Sequence, residues 1–245
     1  MSNNNVSTFL TKIGNIKAEV VSAYLPSRKA VLKLKPLNLK QQKEVISSVA
    51  DGVAGMISFM RILNTIIIEA SGDETLRVYD RTPLTVALRI NSLGSIYKDE
   101  DKTIDLNKVL EAYKLLAPVE KTTESVTHNG IVVDITVPTL KEEIITIKKL
   151  EEEIKRNGDK NNTKNLGSIY VYEIIKYISA VKFDDIEIDY TSLKIKDKID
   201  IIESLPLALN KKIINFIESF RKEEREILTV DDVVVEINPS FFDAE

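Results

Sequence analysis

The strongest constraint on the fold is the spacing of the apolar residues. It runs at three and four along most of the chain and at two only in short stretches. Within 53–70, Met56, Phe59, Met60, Leu63, Ile66 and Ile67 fall on one face of a helix. Residues 39–50 repeat the pattern behind a cap at Asn38. Thr82 as cap with Pro83 at the first helical position predicts another helix, with Leu84, Ala87 and Leu88 on one face, extended by Asn91 and Leu93 up to Gly94. Leu106, Val109, Leu110, Tyr113 and Leu116 form a further unit between a cap at Asp105 and a stop near Pro118. Thr139 and Glu142 spell a capping box for a helix to Arg156, with Leu140, Ile144, Ile147 and Ile154 on one side and Asn157-Gly158 at its end. Three more helices follow: residues 168 to about 180 with Ile174, Ile175, Tyr177 and Ile178, then 193–204 and 208–220, parted by Leu205-Pro206.

The period-two stretches are fewer. Ala30, Leu32 and Leu34 alternate with Lys33 and Lys35 after a turn at Pro26-Ser27, and Pro36 ends that strand. The strongest hairpin signal is 125–137: Asn129-Gly130 accepts the positive φ angles of a type I′ turn, flanked by the β-branched Val126, Ile131, Val133, Ile135 and Val137. Residues 181–190 contain a short alternating strand, and Val233, Val235 and Ile237 alternate with Val234, Glu236 and Asn238 before Pro239-Ser240-Phe241-Phe242. These patterns predict an α+β fold, predominantly α-helical, with an N-terminal strand or hairpin, a central β-hairpin and a short C-terminal strand. Three units are expected: strand plus helices over 1–118, a hairpin insertion at 119–138 that projects or joins a sheet, and a helical unit over 139–245 ending in a strand. Residues 156–167 contain almost nothing to bury and are expected to be the most mobile loop. No repeat recurs at a fixed period.

Composition removes most enzyme classes. The 245 residues include no cysteine and one histidine, His128, so thiolate zinc sites, cysteine nucleophiles and multi-histidine metal sites are excluded. With eight glycines and no phosphate-cradling glycine motif, nucleotide-binding loops find no support. His128 reads as a solvated turn residue. Asp184, Asp185, Glu187 and Asp189 cluster carboxylates without the central glycine of a calcium loop, and read as an acidic strand edge. No catalytic, metal or cofactor residue is assigned, and no cofactor is expected.

The net charge of −4 is too near neutral for an obvious polyanion binder, and Lys33, Lys35, Lys40 and Lys43 lack an aromatic stacking platform, so nucleic acid is not the expected partner. Charge is nevertheless polarised: residues 1–50 hold eight basic and two acidic side chains, residues 222–245 two basic and eight acidic. The N-terminus is polar, unlike a signal peptide, and the apolar run 62–70 is interrupted by Asn64 and Glu69. No membrane role is expected, and the chain is expected to stay in the cytoplasm where it is made. Candidate partner-interface residues are Phe241, Phe242, Val233, Val235 and Ile237 at the C-terminal end, with Lys33 and Lys35. In a strand Phe241 and Phe242 point to opposite faces, one inward and one toward a partner, or else both close the core. Glu223, Glu224, Glu226, Asp231 and Asp232 would steer this segment toward the lysines at 29–43.

Several short segments together resemble a known family. They are Leu25-Pro26-Ser27, Leu34-Lys35-Pro36-Leu37, Ile66-Ile67-Ile68, Asp80, residues 84–88 with Arg89-Ile90-Asn91-Ser92-Leu93-Gly94, Leu205-Pro206 and the closing Phe241-Phe242. The set resembles the baseplate hub subunit and hub assembly chaperone family of T-even-like contractile-tailed phages, most clearly over about 24–100 and in patches over 170–245. The resemblance implies a non-enzymatic protein that helps build the central baseplate hub by contact with other baseplate or tail hub proteins. It would be made in host cytoplasm and would either stay in the virion or leave after assembly. Members of that family often carry Cys-x-x-Cys pairs suited to a zinc knuckle. This chain has none, and a metal role is dropped. Two rival readings are a helical nucleic-acid-associated phage factor, which needs the basic N-terminal residues on one face, and a carboxylate-only enzyme, which needs two acidic side chains facing each other across a pocket.

Overall fold

In the computed structural model, which describes residues 20–48, 52–99, 102–116, 122–158 and 162–243, the chain opens with an antiparallel hairpin. Strands β1 (Ser22–Leu25) and β2 (Ala30–Lys33) pair through a turn in which Lys29 takes a φ of 53°. Helix α1 (Leu39–Ser47) starts as its cap foretells: the Asn38 side chain accepts from the Gln41 N–H, and the Gln41 side chain accepts from the Asn38 N–H. Ala50 and Asp51, read as the end of that helix and the break after it, lie outside the described residues.

Helix α2 (Gly52–Ser71) buries Phe59, Leu63, Ile66 and Ile67 as expected, with Met60 half-buried. Met56 departs from the expected face and is exposed. The reason is that α2 lies between two cores, with Ala54 and Ile57 turned toward the second one at its N-terminal end. By length and composition Ala54–Ser71 is apolar enough to cross a membrane, with a mean hydropathy of 1.2. Here it forms the seam of the fold.

A 3₁₀ turn (Val78–Asp80) runs directly into α3 (Arg81–Leu93). Thr82 is therefore not the cap: Asp80 holds that position, and Pro83 falls third in the helix, still in the first turn whose N–H groups lack intrahelical acceptors. Thr82 is buried, and its hydroxyl donates to Glu224. Every residue from Thr82 to Ile90 is buried, so α3 is the central helix of the first core. Gly94 ends it at a φ of 91°. A second hairpin, β3 (Ile96–Asp99) and β4 (Lys102–Asp105), has no alternation to reveal it in the sequence. Asp105 then accepts from the Asn107 N–H two residues on, at the start of α4 (Asn107–Leu115). Pro118, read as the stop of that unit, and the 118/119 boundary lie outside the described residues.

The 125–137 hairpin joins a sheet. Strands β5 (Thr123–His128) and β6 (Ile131–Thr136) turn at Asn129 and Gly130, with φ of 48° and 81°. They form a four-stranded antiparallel sheet in the order β5-β6-β7-β8, with β7 (Ile178–Phe183) and β8 (Ile186–Asp189). Residues 178–180, expected to end a helix, open β7 instead, because Ile178 pairs with Ile135 and Val181 with Val133 across a bulge in β6/β7. Between the hairpins lie α5 (Leu140–Asn157) and α6 (Asn162–Ile175). The second starts inside the expected loop. Buried Asn165 bonds to the Asn157 side chain and the Gly158 carbonyl, tying the polar stretch down; residues 159–161 lie outside the described ones. The capping box of α5 is present, with Glu142 N–H donating to Thr139 Oγ1 at 3.2 Å and Thr139 N–H donating to Glu142 at 2.7 Å. Thr139→Ala is expected to lower stability by about 1 kcal/mol in urea titrations, and Thr139→Ser to retain it.

Helices α7 (Ile195–Ser204) and α8 (Leu207–Ile227) are parted by Leu205-Pro206, and α8 runs past the expected end at 220. A minimal hairpin, β9 (Thr229–Val230) and β10 (Val233–Val234), precedes a 3₁₀ turn over Pro239–Phe242. The expected strand through Ile237 is thus cut to Val233–Val234. Neighbours in a 3₁₀ turn are separated by about 120° rather than by the half-turn of a strand, so Phe241 and Phe242 both reach the same core.

Two apolar cores result. The first gathers β1, β2, α3, α4, parts of α1 and α2, and the returning C-terminal segment. The second gathers the four-stranded sheet with α5, α6, α7 and α8.

Candidate functional site

A cavity of about 220 Å³ lies between the two cores. Its walls carry Arg81 from α3, Glu143 from α5, Glu173 and Lys176 from α6 and the turn after it, and Arg221 from α8. These charges alternate along a chain of ion pairs. Arg81 Nη1 sits 2.5 Å from Glu143 Oε2, and Lys176 Nζ is 2.6 Å from Glu143 Oε1 and 2.7 Å from Glu173. Arg221 reaches Glu173 at 2.5 Å and Glu218 at 3.2 Å. Asn64 of α2 adds a hydrogen bond to Glu143 at 2.7 Å. Five helices and the turn after α6 are joined through one carboxylate and its neighbours.

Burial alone would raise the Glu143 carboxyl, whose side chain is 2 % exposed. The adjacent Arg81 and Lys176 outweigh it and hold the group down at about 2. Lys176 is raised above its ordinary value because Glu143 and Glu173 more than offset its burial. Burial pushes the Tyr177 hydroxyl up to about 12. Each of these three groups thus keeps one protonation state across the neutral range. Acid–base catalysis needs a group that exchanges a proton near working pH. Glu143 and Glu173 both face the cavity, but each is engaged by Lys176, an arrangement suited to locking elements together. Among the described residues no three His, Asp or Glu side chains gather as a metal site.

The sequence-derived candidates sit elsewhere. Phe241 and Phe242 are fully buried in the first core, their rings 5.4 Å apart and Phe241 5.3 Å from Tyr97. Val233 and Val235 are buried beside them and Ile237 is half-buried. These side chains meet one another but are enclosed by the chain's own helices. Arg89 Nε donates to the Phe241 carbonyl and Gln42 Nε2 to that of Phe242, both at 2.9 Å. The acidic segment does not meet the lysines at 29–43: Asp231 pairs with Lys108 at 2.6 Å, and Glu224 accepts from Thr82. Lys33 and Lys35 are exposed on and just after β2. His128 ends β5 opposite Ile131.

The buried network escaped the sequence reading because no single segment carries it. Its one local trace is a charge set inside an apolar helical face, Glu143 amid Leu140, Ile144 and Ile147.

A family model described as T4 bacteriophage base plate protein matches residues 17–229. No curated protein and no solved structure gives a significant match. The matched span runs from before β1 to the start of β9, and so takes in the ion-pair network and nearly all of both cores. The chain belongs to the T4 bacteriophage base plate protein family.

Proposed function

We propose that this phage baseplate component acts at the central hub of a contractile tail, as a structural subunit or assembly factor working through protein–protein contact. The observation that carries this reading is how the hub-like segments meet. Asp80 accepts from the Ser27 N–H at 3.1 Å and from its hydroxyl at 2.6 Å. Asn91 accepts from Val21 N–H at 2.7 Å and donates to the Leu34 carbonyl at 3.2 Å. Ser92 accepts from Leu37 N–H at 2.8 Å, and Arg89 reaches the carbonyl of Phe241. Motifs separated by more than 150 positions therefore form one polar frame around the first core. That the hub-like motifs converge on one frame, rather than lying scattered over the surface, supports reading them as one structural signature. The partners on this reading are other baseplate or tail hub proteins, met in host cytoplasm during assembly.

Mass spectrometry of purified virions and of hub intermediates from infected cells tests the proposal. Peptides in both fractions identify a hub subunit that stays, and peptides in intermediates alone identify a factor that leaves. Absence from the intermediates overturns the hub assignment.

A further inference from the structure

Two sheet edges of opposite charge are left unpaired. Among the described residues β2 pairs with β1 alone, and β8 with β7 alone. The β2 edge is basic: Lys29, Lys33 and Lys35 are exposed, none of them in an ion pair among the described residues, and Val31 between them is 63 % exposed. The β8 edge is acidic: Asp184, Asp185, Glu187 and Asp189 are exposed, beside Ile186, which is also 63 % exposed, and exposed Phe183.

An edge strand presents a row of N–H and C=O groups that a further strand can satisfy. Like charges placed opposite one another disfavour pairing, so lysines oppose β2 against β2 and carboxylates oppose β8 against β8. The cross pairing meets no such penalty. Both strands are four residues long, and both alternate in the same sense. Ala30 and Leu32 share one face of β2, with Val31 and Lys33 on the other. Ile186 and Ile188 share one face of β8, with Glu187 and Asp189 on the other.

We propose that β2 of one copy adds to the β8 edge of a second copy of this chain, extending its four-stranded sheet. With the faces aligned, Leu32 lies beside the isoleucines and Lys33 beside Glu187 and Asp189. The two surfaces are different patches, so the contact is head-to-tail: an open series keeps one free β2 edge and one free β8 edge, at its two ends, until it closes. The paired charges are exposed, so the contact weakens as salt rises. The proposal stands on the edges alone and does not depend on the hub reading.

The absence of cysteine makes the test clean. Lys33→Cys and Glu187→Cys chains, mixed at low salt under mild oxidation, are expected to cross-link with each other in preference to themselves. By light scattering the native chain is expected to associate at low salt and to return to monomer at high salt. The reversals Lys33→Glu with Lys35→Glu, and Asp185→Lys with Glu187→Lys, should each be monomeric, with circular dichroism confirming their fold. Mixing the two reversed chains should restore association, because each then offers an edge opposite in charge to the other's. A native chain that is monomeric at low salt, reversed chains that still associate, or a mixture that stays monomeric would overturn the proposal.

Discussion

Replacing Glu143 with alanine is expected to cost about 3–5 kcal/mol of stability, since it leaves buried cations without their counter-charge. The Glu143 side chain is 2 % exposed, and Lys176, which it faces, is 9 % exposed. Alanine removes both ion pairs and the acceptor for Asn64 in one step. Glu143→Gln keeps the shape and should still lose most of this stability, because the loss is one of charge. Replacing Arg81, Glu143 and Lys176 together with apolar residues of similar size should be much less damaging than Glu143→Ala, since no uncompensated charge then remains. Denaturant titration of the three variants checks the ordering, and a single mutant as stable as the native chain would remove the network from any account of the fold.

The same group sets an acid limit. Its folded pKa of about 2 lies below the ordinary 4.5, so its contribution is fully present above about pH 4.5 and is lost as pH falls toward 2. Acid unfolding followed by circular dichroism should show a loss in that window, and the Glu143→Ala chain should lack this component.

Truncating Phe241 or Phe242 to alanine is expected to cost about 3–5 kcal/mol each. Both side chains are 0 % exposed and sit against α1, α3 and β3. Deleting residues 239–245 removes both rings and both carbonyls bonded by Gln42 and Arg89, leaving the largely buried Arg89 without one of its acceptors. The truncated chain should lose the cooperative melting of the first core. If it melted like the full chain yet failed to enter hub complexes, the segment would be a partner-binding tail, and its burial here would not be what holds it.

Both predictions concern residues that the sequence treated differently. Phe241 and Phe242 were visible as an aromatic end, but their partner could not be read, because contact with Gln42 and Arg89 spans 200 and 152 positions. Glu143 carries no reading in the sequence, where it lies beside the capping Glu142. The network needs Asn64, Arg81 and Lys176 brought to it from three other segments, and no local period records such a meeting.

Local rules were written plainly in the chain. The cap at Asn38, the capping box at Thr139, the Asn129-Gly130 turn, the Leu205-Pro206 break and the apolar stripe of Phe59, Leu63, Ile66 and Ile67 all depend on atoms within a few residues of one another, and the structure contains each of them. Pairings of distant segments were settled only by tertiary contact. Residues 178–180 became strand because β6 offered an edge, and the C-terminal end wound into a 3₁₀ turn that drives both phenylalanines into one core. The physical division is one of range: capping, turn geometry and helical amphipathicity act between near neighbours, whereas sheet pairing, core assignment and the compensation of a buried charge depend on which remote surfaces close against each other.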